Sequence, residues 1–106
     1  MDKPIANDGK KPPLYGYDKR CWACHSPNCE LHHVYGGVGR RPVSDREGCV
    51  IYLCREHHQG RTGVHNDAEF REWLRADCQR RWEEREGLSG QEAHDAFRLL
   101  FGVSYL

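Results

Sequence analysis

The chain has few hydrophobic residues and no long apolar run. Only 38% of its 106 residues are hydrophobic, whereas 30% are charged. No segment approaches the roughly 18 apolar residues of a membrane span, so no transmembrane helix is expected. The N-terminal stretch MDKPIANDGKKPP lacks the apolar region of a secretory signal, so a cytoplasmic location is the default expectation. One small domain is predicted, whose modest core needs help from cross-links or bound metal.

The sequence also lacks a net charge. Lysine plus arginine equals aspartate plus glutamate at 16 each. This balance argues against a protein that coats nucleic acid through its overall charge. A local basic site remains compatible with it, because the distribution of charge matters more than the sum.

Cysteine and histidine, by contrast, are abundant. The chain has six cysteines and seven histidines, and the stretch CWACHSPNCELHHVYG contains three of each. In a reducing compartment, cysteines at this density are metal ligands or free thiols more often than disulfides. The sequence therefore predicts metal binding.

The expected fold class is α+β, with a small zinc-stabilised unit followed by two helices. Residues 1–13 are polar and rich in proline, glycine and lysine, which predicts a flexible arm. Residues 14–106 are expected to form a single domain. Within it, residues 14–65 would be the metal-binding core and residues 66–106 a helical extension.

Two strands and a short helix are predicted in the metal-binding core. Residues 30–35 and 49–54 contain β-branched and aromatic residues between turn signals, which favours strands. The intervening residues 36–48 are expected to form a long polar loop. Residues 54–60 predict a short helix that ends at Gly60.

The C-terminal part predicts two amphipathic helices. Asn66 or Asp67 is a candidate N-cap for the first, which should end near Gly87. The second is expected from Ser89, as cap, to Phe101. The repeating apolar residues of the first helix are expected to face the core: Phe70, Trp73, Leu74, Cys78 and Trp82.

Four residues have the spacing of a structural zinc site. Cys21 and Cys24 form a CxxC knuckle, and Cys54 and His57 repeat the spacing about 30 residues later. Cys3His sets of this kind bind zinc tetrahedrally. The alternative is that Cys54 is a buried thiol and His57 a surface residue.

A second set of candidate site residues consists mainly of histidines. His32 and His33 follow Glu30, and His58 and His65 come later in the chain. Adjacent side chains of a strand point to opposite faces, so His32 and His33 are expected to have different tasks. One could bind a cation while the other acts from another direction.

The motifs CWAC, ELHHV, VIYLC, REHH and GVH together resemble the HNH endonuclease family, whose core is the ββα-metal fold. The resemblance covers about residues 21–65. The run GGVGRRPVSDREGCVIYLCREHHQGRTGVHND and the ending FGVSYL are also similar to phage and prophage proteins of the recombination-enhancement, RecA-dependent nuclease group.

The resemblance implies a metal-dependent hydrolase that cuts DNA phosphodiester bonds. His33 would be the general base, and His32, His58 and His65 would bind the catalytic metal. The structural Zn²⁺ would be held by Cys21, Cys24, Cys54 and His57. Glu30 would orient a histidine without itself binding the metal. The catalytic ion would be Mg²⁺, Mn²⁺, Ni²⁺ or Zn²⁺, and the partners would be DNA and a recombinase filament.

The chain departs from the family at the middle asparagine, where Cys49 stands instead. Asp45 or Glu47 could replace that asparagine in orienting His33. The assignment of His57 and His58 to the two metals could also be exchanged.

Arginines near these motifs are candidate phosphate contacts. Arg40 and Arg41 lie in the glycine-rich segment, and Arg61 follows the second histidine pair. Each could equally be a solvated loop residue. The alternative to a nuclease is a non-catalytic zinc module that binds nucleic acid or protein.

Overall fold

The structure, a computed structural model, describes residues 9–106 and has an α+β fold. A β-hairpin is followed by helices, and the two longest helices lie at the C-terminal end. In chain order the elements are β1 Cys29–His33, α1 Arg41–Glu47, β2 Val50–Cys54, α2 Arg55–His58, α3 Ala68–Arg85 and α4 Gly90–Phe101. None of the helices in the described residues is long and apolar enough to cross a membrane.

The two strands form an antiparallel hairpin. Cys29 lies opposite Cys54, and His33 lies opposite Val50. Ile51 and Leu53 are buried, while Val50 and Tyr52 are more exposed, as expected when one face of a sheet packs on a core. Both predicted strands are present, with bounds shifted by one or two residues.

Helix α1 occupies most of the segment that the sequence analysis assigned to a polar loop, so that prediction is wrong. The helix ends at Gly48, whose φ of 79° is left-handed, as is usual just past a helix. Ser44 is fully buried and its hydroxyl is satisfied on both sides. It accepts from the Tyr35 backbone N–H at 3.2 Å and donates to the Cys49 carbonyl at 2.9 Å.

Helix α3 begins at the second of the two candidate caps. The Asp67 carboxylate accepts from the Phe70 backbone N–H at 3.2 Å. Asn66 instead donates to the carbonyls of Gln59 and Gly60, at 2.8 and 2.9 Å. It therefore fastens the bend before the helix and does not cap it.

The core lies between β2 and the C-terminal helices. Leu74, Cys78 and Trp82 of α3 are buried there, as the sequence predicted. Phe97 and Phe101 of α4 complete it, with ring centroids 4.5 Å apart. Trp73 departs from the prediction, because 44% of it is exposed.

The N-terminal segment is attached to this body from Lys10 onward. Lys10 pairs with Asp45 at 2.6 Å, and Lys11 pairs with the buried Glu47 at 2.7 Å. The Arg85 side chain donates to the Pro12 carbonyl at 2.9 Å. Residues 10–12 of the predicted flexible arm thus make contacts with the body of the domain, while residues 1–8 lie outside the described part of the chain.

Candidate metal centres

Three cysteines and one histidine converge at one end of the hairpin. Cys24 Sγ lies 3.7 Å from Cys54 Sγ, and His57 Nδ1 lies 3.2 Å from Cys54 Sγ and 3.5 Å from Cys21 Sγ. A tetrahedral zinc site with ordinary bond lengths has edges of about 3.8 Å between sulfurs and about 3.6 Å between sulfur and nitrogen. The four ligand atoms therefore have the spacing of a structural zinc centre, as predicted.

The cysteine knuckle is a tight turn fixed to β2. The His25 N–H donates to the Cys21 carbonyl at 2.7 Å, and the Trp22 N–H donates to the Tyr52 carbonyl at 2.9 Å. His25 closes the turn with a left-handed φ of 66°, which only a few non-glycine residues adopt. These bonds place Cys21 and Cys24 against Cys54 at the end of the second strand.

The Cys21 thiol is prepared to ionise. Burial by itself would raise its pKa, but the backbone groups of Cys54, Cys24 and Ala23 outweigh burial and lower the pKa to about 6. Because the thiolate is the form that binds metal, this environment favours a cation at the cluster.

The remaining cysteines lie apart from this cluster. Among the described residues, Cys29 is half-buried and is not one of the four converging ligands. Cys49 and Cys78 are fully buried in the core. Cys49, which stands where the resemblance places an asparagine, is a core residue and belongs to no converging ligand group of the described residues.

A second cluster consists of three histidines. Ligand nitrogens of His32, His58 and His65 lie within 4.8 Å of one another. The Nε2 atoms of His58 and His65 are 3.0 Å apart, and the ring of His32 is 5.1 Å from each of the other two rings. The donor set suits a transition-metal or zinc ion, since imidazole nitrogen is a preferred ligand for these ions.

A sharp bend after α2 brings His65 back to His58. The backbone N–H of Val64 donates to the His57 carbonyl at 2.8 Å, and that of His65 donates to the His58 carbonyl at 3.1 Å. Gly63 makes this approach possible, because a Cβ there would lie 2.7–2.8 Å from backbone atoms of Glu56 and His58. The break in the helix that the glycines predicted is therefore what joins the two ligands.

Glu30 stands behind His58. Its Oε1 lies 2.7 Å from His58 Nδ1. A carboxylate can only accept, so His58 donates from Nδ1 and turns Nε2 toward the other histidines. This is the contact with a histidine that was expected of Glu30, and it is common behind metal-binding histidines.

His33 occupies the other side of the strand and is held by Asp45. His33 Nε2 lies 3.2 Å from Asp45 Oδ1. The hydrogen bond from Lys10, together with that from His33, keeps the pKa of Asp45 low against the effect of burial. An ionised Asp45 must accept, so the His33 lone pair is on Nδ1. Of the two acids proposed to orient His33, Glu47 instead bonds Trp82 and Lys11.

Two histidines of the cluster, His32 and His65, have pKa values below the ordinary value for histidine. Burial, followed by the neighbouring His58 and His65, lowers the pKa of His32 to about 3. Burial and the nearby His58 and Arg71 also lower the pKa of His65. Neutral imidazole is the form that binds metal.

One groove of about 460 Å³ gives access to all four histidines. Of the three arginines predicted as phosphate contacts, Arg41 lines this groove. Among the described residues, Arg40 and Arg61 are exposed elsewhere and do not line it. Two arginines that sequence reasoning missed, Arg71 and Arg75 of α3, form part of its wall.

The chain has no significant match among protein-family models, curated proteins or solved structures. No family is thereby identified. The geometry alone supports a small α+β domain whose Cys3His cluster is a candidate structural zinc site.

Proposed function

We propose that the chain is a metal-dependent DNA endonuclease of the HNH type that its sequence resembles. The observation that carries the proposal is the groove in which His32, His58 and His65 converge beside His33. A structural zinc needs four ligands, and the Cys3His cluster supplies them without these histidines. The three-histidine cluster is therefore available for chemistry.

The chain's own residues divide the hydrolysis among them. His33 takes the proton of the attacking water at Nδ1, while Asp45 holds the protonated Nε2 and stabilises the imidazolium that forms. His32, His58 and His65 would hold a divalent ion, which supplies Lewis-acid stabilisation of the phosphate and the departing 3′-oxygen. Asp45 thereby takes the orienting role of the absent asparagine.

The finer resemblance to phage nucleases that depend on RecA adds a partner to the proposal. The chain has 106 residues, and a domain of this size offers little surface for reading a DNA sequence. Cleavage with little sequence preference, delivered to its site by a recombinase filament, is consistent with these dimensions.

The test is cleavage of single-stranded and supercoiled DNA by the zinc-loaded protein with Mg²⁺, Mn²⁺ or Ni²⁺. His33→Ala should reduce cleavage at least about a hundredfold, because general-base catalysis contributes that much or more. His94→Gln is the matched control, since His94 lies on α4 and bonds Glu83 at 2.7 Å. Both variants should keep their zinc and their circular dichroism spectrum.

Two results would contradict the proposal. Equal cleavage by the wild type and His33→Ala would show that His33 is not the base. Tight DNA binding without cleavage, with all metals and with a recombinase filament present, would favour the non-catalytic zinc module. The buried Cys49 stands where the HNH family has its middle asparagine, and this difference favours the second candidate.

A further inference from the structure

The residues that line the groove include several arginines and no aspartate or glutamate of the described chain. The charged side chains that line it, apart from the histidines, are Arg41, Arg71 and Arg75, and no carboxylate residue of the described chain lines it with them. The whole chain has equal numbers of acidic and basic residues. Three arginines without a lining carboxylate are therefore a local concentration of positive charge, which attracts anions.

Arg71 is held by backbone carbonyls and has no carboxylate partner among residues 9–106. Its Nη1 donates to the carbonyls of Val64 at 3.3 Å and His65 at 3.2 Å. A neutral carbonyl orients a guanidinium but leaves its charge uncompensated. The same bend that brings His65 to the cluster therefore also sets the position of Arg71 beside it.

Arg75 has hydrogen-bonding capacity to spare. Its Nη1 pairs with Glu72 at 3.2 Å, and the Glu72 side chain is 62% exposed, so this pair is weak. Its Nε is buried and has no hydrogen-bond partner among the described residues. A guanidinium has five N–H donors, and a buried donor without an acceptor is costly.

Helix α3 is held firmly enough to position these side chains. The hydroxyl of Tyr35, two residues after the end of strand β1, donates to the Arg75 carbonyl at 2.6 Å. The Tyr35 ring is itself 1% exposed, packed on Phe97 and Phe101. The arginine wall is therefore fastened to the strand that bears His32 and His33.

We infer that Arg71 and Arg75, together with Arg41, form a subsite for the phosphodiester backbone of the DNA strand, next to the histidine cluster. The inference rests on the proposed function and extends it to the C-terminal helices. Guanidinium groups suit this ligand because their planar donors match two phosphate oxygens at once. Helix α3, which lies beyond the ββα-like unit, would thus help to bind the substrate as well as cover the core.

Binding can be tested separately from cleavage. The probe is a fluorescently labelled single-stranded oligonucleotide of about 12 nucleotides, titrated with the zinc-loaded full chain without added catalytic metal. Arg71→Gln and Arg75→Gln should each weaken binding about tenfold. Each should also reduce the slope of log K against log salt by about 0.7, the value for one lost phosphate contact.

The control has to remove the same charge from the same helix. Arg80→Gln does so, because Arg80 is exposed on α3 and is not one of the groove-lining residues. Its effect on affinity should stay below about twofold. Arg75→Lys keeps the charge but loses the planar set of guanidinium donors. This variant should bind the oligonucleotide more weakly than the wild type. Zinc content and circular dichroism check that each variant is folded.

The subsite is refuted if Arg71→Gln and Arg75→Gln bind as the wild type does, or if Arg80→Gln loses as much. It is also refuted if polyglutamate competes as well as DNA, since the groove would then accept any polyanion. Arginine-dependent binding without cleavage would retain the subsite and reject the nuclease. Cleavage that depends on His33 but not on these arginines would do the reverse.

Discussion

At the scale of single residues, Glu30 connects strand β1 to the histidine cluster. Its carboxylate accepts from His58 Nδ1 at 2.7 Å and so decides which nitrogen faces the groove. A glutamine in place of Glu30 could still accept the hydrogen bond from His58 through its amide oxygen. It would no longer increase the basicity of the imidazole, because that effect depends on the negative charge.

Glu30→Gln should therefore weaken binding of a divalent metal by the histidine cluster about 10- to 100-fold. Titration of the zinc-loaded protein with Ni²⁺ or Mn²⁺, followed by calorimetry, measures this. Glu69→Gln, at an exposed position in the first turn of α3, is the control and should leave the affinity unchanged. Unchanged affinity in Glu30→Gln would show that the cluster does not bind the ion through His58.

The residues of the site differ in how readily the sequence reveals them. His32, His58 and His65 could be predicted because histidine pairs at such density have few structural uses. Arg71 and Arg75 could not, since a charged residue on an amphipathic helix normally faces solvent. Only the folded chain, which brings this part of α3 to the histidine cluster, makes them part of the groove.

At the scale of elements, the bend after α2 has the greatest effect on the site. Helix α2 has only four residues, and the chain then returns so that His65 bonds the carbonyl of His58. Gly63 lies at the closest approach, and Asn66 fastens the bend from outside. The histidine cluster therefore depends on a backbone contact more than on any regular element.

Gly63→Ala should separate His65 from His58, because the added methyl would contact backbone atoms at 2.7–2.8 Å. The expected result is at least a tenfold loss of divalent-metal affinity at the histidine cluster, with the Cys3His zinc retained. Metal titration and zinc analysis measure both. Gly36→Ala, where a Cβ meets open space, should keep normal metal affinity. Equal metal binding by Gly63→Ala would exclude a role for His65 as a ligand.

Helix α1 is the element that the sequence did not reveal. Its seven residues carry no apolar periodicity, because the side chains that it buries are Ser44 and Glu47. Both are polar residues, and Glu47 has a partner far away in the sequence, because Trp82 donates to it at 3.0 Å. The strands and the two long helices could be predicted, since their own patterns and caps specify them.

At the scale of the whole molecule, Glu47 joins the N-terminal segment, α1 and α3. Burial would raise its pKa, but hydrogen bonds from Lys11 and Trp82 outweigh burial and keep it below its ordinary value of 4.5. Because the folded pKa is lowered, the stabilisation is present above about pH 4.5 and is lost as the pH falls through the folded pKa.

Glu47→Gln should reduce the free energy of unfolding by about 2 kcal/mol at pH 7. The difference from the wild type should shrink below pH 4.5. Urea unfolding at several pH values measures it, and zinc loss in acid affects both proteins alike. Glu84→Gln, exposed on α3, is the control. A difference that does not vary with pH would show that the charge of Glu47 contributes nothing.

The Cys3His cluster takes its ligands from the CxxC knuckle, β2 and α2. Cys54→Ser should abolish stoichiometric zinc and unfold the domain, because structural zinc supplies folding free energy directly. Cys29→Ser should keep both zinc and fold, since Cys29 is not among the converging ligands. Zinc analysis and circular dichroism compare the two. A compact, zinc-free Cys54→Ser protein would contradict the structural role of the cluster.

His57 and His58 are consecutive residues of α2, yet one belongs to the Cys3His cluster and the other to the histidine cluster. An ion in either cluster thus immobilises the same four-residue helix and lowers the entropic cost of ordering the other cluster. Such an effect must be reciprocal in equilibrium terms. A cation in the groove would then increase the affinity of the Cys3His cluster for zinc, and bound zinc would increase the affinity of the histidine cluster for the cation. The protein would lose both ions together under chelation, as a single cooperative unit.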